Sequence, residues 1–272
     1  MNLEPYLLHI SKYHDALLDF FPSENVTIIP YKVLDREIPP DIYDSASLDS
    51  LVYVPKDENL KFALPKTPKY IISGSNEFHH FTYYFLKWYK SNNHSFDVLL
   101  TFDAHTDSYY NPEMNNNKLA CGNFNRFVIK ENLVDEVITY GIPEEKFVKG
   151  YGYDSHKEQK IFYTKDDFDN VVDLIKNKRI YLSIDADVCK DINTDYTFSE
   201  ETKKKMIDSR TLIDLVRIID KKSEILGMDY CGIPNKVGRG FTYARSSINL
   251  AKRLMELCKT SMKAFASLRS AQ

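Results

Sequence analysis

The sequence has no CxxC pair, no long hydrophobic run and no strong charge of either sign. Without a CxxC, its four cysteines, Cys121, Cys189, Cys231 and Cys258, frame neither a zinc knuckle nor a disulfide scaffold. No apolar stretch approaches the ~20 residues that a membrane-spanning helix needs. The opening Met1-Asn2-Leu3-Glu4-Pro5 lacks a basic segment followed by an apolar one, so a cytoplasmic location is the default expectation. A net charge of -3 and a pI near 6.2 argue against nucleic acid or an anionic membrane as partner. Internal repeats and low-complexity tails are also missing.

What is present suits a soluble globular chain: 43% hydrophobic and 28% charged residues over 272 positions, enough to bury a substantial core. The single Trp stands against 19 Tyr and 16 Phe. Biased composition together with ordinary core packing is the preferred account of such an excess, and a wide aromatic groove holding part of a large substrate is the alternative. About eight strand candidates can be read: Val26–Pro30, Leu51–Val54, Tyr70–Ile72, Phe96–Phe102, Glu136–Tyr140, Lys160–Tyr163, Arg179–Ile184 and Glu224–Asp229. Helical stripes fall between them over 77–90, 123–130, 166–176, 211–221 and 245–257. Alternation of strand and helix predicts a three-layer α/β/α fold with a mostly parallel sheet, most economically one domain over 1–272.

The chemistry concentrates where two strands end. Phe96-Asp97-Val98-Leu99-Leu100-Thr101-Phe102 runs into Asp103-Ala104-His105-Thr106-Asp107, and Arg179-Ile180-Tyr181-Leu182-Ser183-Ile184 into Asp185-Ala186-Asp187. If the first strand stays extended through 107, Asp103, His105 and Asp107 share one face. Four carboxylates and an imidazole in one small volume repel unless a cation lies among them. Carboxylate and imidazole donors suit Mn²⁺, Fe²⁺, Mg²⁺ or Zn²⁺. Two ions about 3.5–4 Å apart would activate a shared hydroxide, which is the chemistry of hydrolysis.

His79 and His80 follow Ser73-Gly74-Ser75-Asn76 near an expected helix start, with Asn76 as its cap. His9, His14, His94 and His156 read as surface or packed histidines, Cys189 and Cys231 as buried structural thiols, and Asp191 as a loop cap. The polar loop after Asp107 is a candidate substrate-binding element.

These strings resemble the arginase and agmatinase superfamily, the ureohydrolases, over residues 70–110 and 180–235. The resemblance rests on the region ending in His80, on Asp103-Ala104-His105-Thr106-Asp107 and on Ser183-Ile184-Asp185-Ala186-Asp187. It implies a site for two manganese ions, one held by His80, Asp103, Asp107 and Asp185, the other by His105, Asp103, Asp185 and Asp187. His80 is preferred because its separation from Asp103 resembles the family spacing, and His79 stays open as the alternative. The implied catalytic residues are Asp107, Asp185 and His105, with Asp107 orienting the attacking hydroxide and handling its proton.

Two departures from the family's pattern concern the substrate. Where guanidine-hydrolysing members carry a Glu that clamps the guanidinium, Gly227-Met228-Asp229-Tyr230-Cys231-Gly232 places Gly232, and Cys121 stands where arginases place a His. The combination is most similar to the peptide arginases, which convert arginine to ornithine in ribosomally made precursor peptides. In that reading Gly232 opens room and the pocket candidates are Glu77, Glu113, Asp229, Tyr230 and Gly232. The partner would be a peptide, and a homo-oligomer is left open. Three alternatives remain: a metal-dependent deacylase on the same fold, an agmatinase-like or arginase-like hydrolase of a small guanidino compound, and a non-catalytic binding protein.

Overall fold

The computed structural model describes residues 6–7, 31–35, 51–55, 70–109, 119–149, 159–234 and 241–269. In chain order the strands are β1 (Tyr6–Leu7), β2 (Tyr31–Asp35), β3 (Leu51–Pro55), β4 (Tyr70–Gly74), β5 (Phe96–Phe102), β6 (Val134–Ile142), β7 (Gln159–Tyr163), β8 (Arg179–Asp185) and β9 (Glu224–Cys231). The principal helices are α1 (Phe81–Ser91), α2 (Phe124–Lys130), α3 (Phe168–Ile175), α4 (Ser209–Lys222) and α5 (Phe241–Arg269). None of the described helices is long and apolar enough to cross a membrane.

Seven strands form one sheet in the order β1-β4-β9-β8-β5-β6-β7, with every neighbouring pair parallel. Central strands of such a sheet are covered on both faces and read as continuous apolar runs, as β5 and β8 do. Alternate residues divide between two layers. Val98, Leu100 and Phe102 of β5, with Ile180, Leu182 and Ile184 of β8, pack against Val171 and Ile175 of α3, Leu212 and Val216 of α4, and Ile248 and Leu254 of α5. Leu99 and Tyr181 point the other way, into Phe81, Phe85 and Tyr89 of α1 and Phe124 and Val128 of α2. This is the α/β/α arrangement expected from the strand and helix alternation.

The seven-stranded sheet contains six of the eight strand candidates. Leu51–Val54 does form a strand, but β3 pairs antiparallel with β2 in a separate two-stranded sheet. No strand had been read at β2. The Val26–Pro30 candidate lies outside the described residues. The helix expected from Glu77 begins later: Asn76–Phe78 is a 3₁₀ turn, and His80, not Asn76, occupies the position before α1. Caps elsewhere match their residue types, with Asp167 accepting from Asp169 N and Asp208 from Thr211 N. Asp191 acts as expected, taking Ser209 N at 2.7 Å and Ser209 Oγ at 2.6 Å.

Candidate metal centre

The chain leaves β5 toward β6 on one side and β8 toward β9 on the other, so neighbouring strands part at their carboxyl ends. Open parallel sheets bind ligands at such a divergence. Phe102 is in register with Ile184, which sets Asp103 and Asp185 at adjacent strand ends. The two Asp-rich strings thus meet because two apolar strands pair in the middle of the sheet.

Convergence of the first string is achieved by bending, not by the extended continuation expected from period two. β5 ends at Phe102, and Asp107 has φ of 46°, a left-handed conformation that Asp tolerates better than most residues. The bend sends His105 and Asp107 to different partners. His105 Nδ1 lies 3.0 Å from Asp187 Oδ2 and 3.4 Å from Asp103 Oδ1. Asp107 Oδ2 lies 2.7 Å from His79 Nδ1, which is also 3.2 Å from Asp103 Oδ2 and 3.7 Å from Asp185 Oδ2. Two donor groups result, His79–Asp103–Asp107 and Asp103–His105–Asp187, with Asp103 common to both.

Of the two histidines left open by the sequence, the structure places His79 among the carboxylates. The 3₁₀ turn at 76–78 directs the ring of His79 inward, while His80 packs on Phe81 and Tyr84 at centroid distances of 5.1 and 6.5 Å. His79 Nε2 meets Ser183 Oγ at 2.9 Å, and Ser183 Oγ donates to Asp229 Oδ1 at 2.7 Å. A hydrogen bond on one ring nitrogen fixes which way the other faces. Ser183, read only as part of a string, and Asn76, read as a cap, are therefore positioning residues that the sequence did not reveal. Asn76 Nδ2 donates to Asp185 Oδ1, which also accepts Asp187 N at 3.0 Å.

A model of the arginase family matches residues 79–233, more than half of the chain. The chain belongs to the arginase family. A Thermotoga maritima protein described only as uncharacterized is 28% identical over 220 residues, which cover 81% of this chain and 73% of that one. Among solved structures, a hypothetical agmatinase from Burkholderia thailandensis superposes with a TM-score of 0.54 at 16% identity, over 71% of this chain and 60% of that one. The agmatine ureohydrolase of Thermoplasma volcanium gives a TM-score of 0.51 at 18% identity, over 73% of this chain and 63% of that one. At these identities the superpositions support the fold. The alignment spans about three fifths of the length of these two solved relatives.

Burial makes the arginase-family cluster electrostatically demanding. Asp103, Asp185, Asp187 and His79 are almost inaccessible to solvent. Burial pushes the Asp185 carboxyl well up, helped by the charges of Asp187 and Asp103. Burial and the Asp103 charge push Asp107 up to about 7. Burial opposes the charged form of His79, yet the flanking carboxylates of Asp103 and Asp107 prevail and raise it well above its ordinary value. Burial likewise opposes charge on His105, and Asp187 and Asp103 overcome it. For Asp103, burial acts upward but the two imidazoles win, holding it low.

His79 Nδ1, Asp103 Oδ2 and Asp187 Oδ2 are fully buried and, despite their close approaches, complete no hydrogen bond. Buried polar atoms are normally satisfied. Unsatisfied donor atoms buried in both donor groups are what divalent cations would use, and the residues present fit them. Binding must expel the protons that the metal-free cluster holds on its raised carboxyls and imidazoles. Affinity for Mn²⁺ should therefore weaken as pH falls through about 7, and proton release should be measurable by calorimetry in buffers of different ionisation heat. Equal affinity on either side of that pH, with no proton release, would contradict this reading.

A cleft of about 150 Å³ opens beside the cluster, lined in part by Asn76, Asp107, Tyr109, Cys121, Tyr196 and Asp185. Phe147, Tyr196 and Phe198 surround His105 at centroid distances of 5.8, 5.3 and 5.6 Å. Among the described residues, aromatic side chains both fill the core, as along α1, and form this wall. Glu113 lies outside the described residues. Glu77 sits half-buried in the 3₁₀ turn away from the cleft lining, and Asp229 and Tyr230 are buried, so none of the three supplies a pocket wall. Asp229 instead supports Ser183, and Tyr230 bonds to Ser247 Oγ at 2.6 Å.

Gly232 does not open room, which corrects that expectation. Its φ is 98°, and a Cβ there would meet Ala186 Cβ at 2.7 Å, Ala186 N at 2.9 Å and Asp185 Oδ1 at 3.1 Å. The glycine lets the chain pass close behind Asp185. Gly232→Glu, which would reinstate the family's acid, should cost about 1–3 kcal/mol of stability and weaken metal binding, readable as a lowered Tm in the presence of Mn²⁺. A stable, metal-replete variant would show the close approach to be incidental.

Proposed function

We propose that this chain is a manganese-dependent hydrolase holding two ions, and that it converts arginine side chains of a peptide to ornithine with release of urea. The observation that carries the reading is the pair of donor groups joined through Asp103. When bound, the ions would lower the pKa of a shared water and place positive charge where negative charge develops. His79 and Asp107, with Asp103 and Asp185, would hold one ion. His105 and Asp187, with Asp103 and Asp185, would hold the other.

Asp107 lines the cleft, which places its carboxylate where it can take a proton from the attacking water and pass it to the departing amine. The guanidinium carbon gains the water oxygen, the bond to the side-chain nitrogen breaks, and that nitrogen leaves as the ornithine ammonium. Asn76 keeps Asp185 oriented and Ser183 keeps His79 oriented.

The peptide part of the reading rests on the missing clamp. Gly232 cannot be replaced by a longer residue without displacing Ala186 or Asp185, so a guanidinium finds no carboxylate at that position and the substrate has to be held by contacts elsewhere. The cleft instead presents Tyr109, Phe147 and Tyr196, which can pack along the aliphatic stem and face of an arginine side chain while the peptide stays outside. The small cleft volume favours a second reading, hydrolysis of a small guanidino compound such as the agmatine named for the Thermoplasma volcanium structure.

Incubating the Mn²⁺-loaded chain with an arginine-containing peptide panel, free arginine and agmatine distinguishes the two. Peptide masses falling to the ornithine form, with stoichiometric urea and untouched free arginine, are expected. Turnover of agmatine alone would establish the second reading. Urea from none of them would overturn both.

A further inference from the structure

Cys231 is the last residue of β9, in register with Asp185 of β8, and its side chain is fully buried. Its Sγ lies within 4.8 Å of an Asp185 carboxylate oxygen. A thiol used only to fill space sits among apolar atoms. This one sits against the carboxylate at the centre of the cluster. His79, Asp185 and Cys231 offer three donor atoms that all lie within 4.8 Å of one another, and all three residues are buried. His79 Nδ1 faces Asp107 Oδ2 at 2.7 Å, Asp103 Oδ2 at 3.2 Å and Asp185 Oδ2 at 3.7 Å, so the imidazole already sits among carboxylate oxygens that a cation would draw together.

We propose that Cys231 gives the centre a second, mononuclear mode, in which a borderline divalent cation such as zinc or cobalt(II) is held by His79, Asp185 and Cys231. The inference rests on the strand-end residues being a metal centre, and it is independent of which substrate is cleaved. Nitrogen, oxygen and sulfur donors close on zinc at about 2.0–2.3 Å, so the three side chains need only draw inward around one ion. Asp185 also lines the cleft, so an ion held by these three side chains would lie within reach of the cavity. Thiolate shifts preference away from hard Mn²⁺ and toward softer cations, so the chain would discriminate between metals by which third donor is engaged. With Cys231 engaged, Asp185 and His79 are committed to one ion, and the two-ion arrangement is lost.

Cobalt(II) titration of the metal-free full-length chain tests the proposal without reference to activity. A thiolate-to-cobalt charge-transfer band in the near ultraviolet is expected in the wild type. It should be lost in Cys231→Ser and kept in Cys121→Ser. Zinc affinity should fall about 10–100-fold in Cys231→Ser while Mn²⁺ affinity moves less than about threefold. Cys231→Ala serves if the serine variant does not fold. Cobalt bound without the band in the wild type, or a band that survives both Cys231 substitutions, overturns the proposal and leaves the metal centre standing. Failure of any divalent cation to bind would remove the metal centre together with it.

Discussion

His79→Ala should lose metal binding and turnover together, whereas His80→Ala should keep both. The neighbouring histidines have nearly the same burial, 1% exposed each, so burial does not separate them. Direction does. The His79 ring touches Asp103, Asp107 and Asp185 on one side and Ser183 on the other, while His80 meets the rings of Phe81 and Tyr84. Removing His79 leaves three buried carboxylates without their imidazole and takes away a donor of one group, so metal affinity should fall sharply. His80→Ala removes aromatic packing and should cost stability, read as a lower Tm, with full metal content by elemental analysis. The reverse outcome, with His80→Ala metal-free and His79→Ala replete, would show that the ring orientations are wrong.

Asp103→Asn should empty the centre, because Asp103 is the one residue common to both donor groups. Asp187→Asn touches only the group that contains His105 and should leave about one ion per chain, against the two expected for the wild type. The amide keeps the shape of the side chain and removes its charge, so a folded variant is expected in each case. Turnover should fall by several orders of magnitude in Asp103→Asn, since without the ions neither water activation nor charge stabilisation is available. Metal counting on the three proteins checks this directly. Equal metal content in the wild type and Asp103→Asn would break the link between the shared carboxylate and the ions.

Much of this was legible in the chain. The apolar runs at 96–102 and 179–184 identified the central strands, and the Asp-rich strings after them located the centre, because a carboxylate cluster beyond a buried strand has few other uses. The histidine was harder. Its position depends on how the chain leaves β4, and a 3₁₀ turn at Asn76–Phe78 shifts the ring directions relative to a helix begun at Glu77. Chain separation from Asp103 could not register that shift.

The bend at Asp107 was hidden for a similar reason, since period-two reasoning assumes an extended backbone and Asp107 has φ of 46°. Gly232 was misread because a missing side chain suggests space, whereas the space is filled by Ala186 from the neighbouring turn. Cys231 read as packing from its residue type alone. Its significance comes from the β8 and β9 register, which sets it beside Asp185.

The central claim is that His79, Asp103, His105, Asp107, Asp185 and Asp187 enclose two cations at the parting of β5 and β8. Anomalous scattering from a crystal of the full chain grown with excess Mn²⁺ measures this most directly. The account predicts two peaks about 3.5–4 Å apart, with Asp103 contacting both. Asp103 and Asp185 side by side with no peak between them at saturating Mn²⁺ would contradict it.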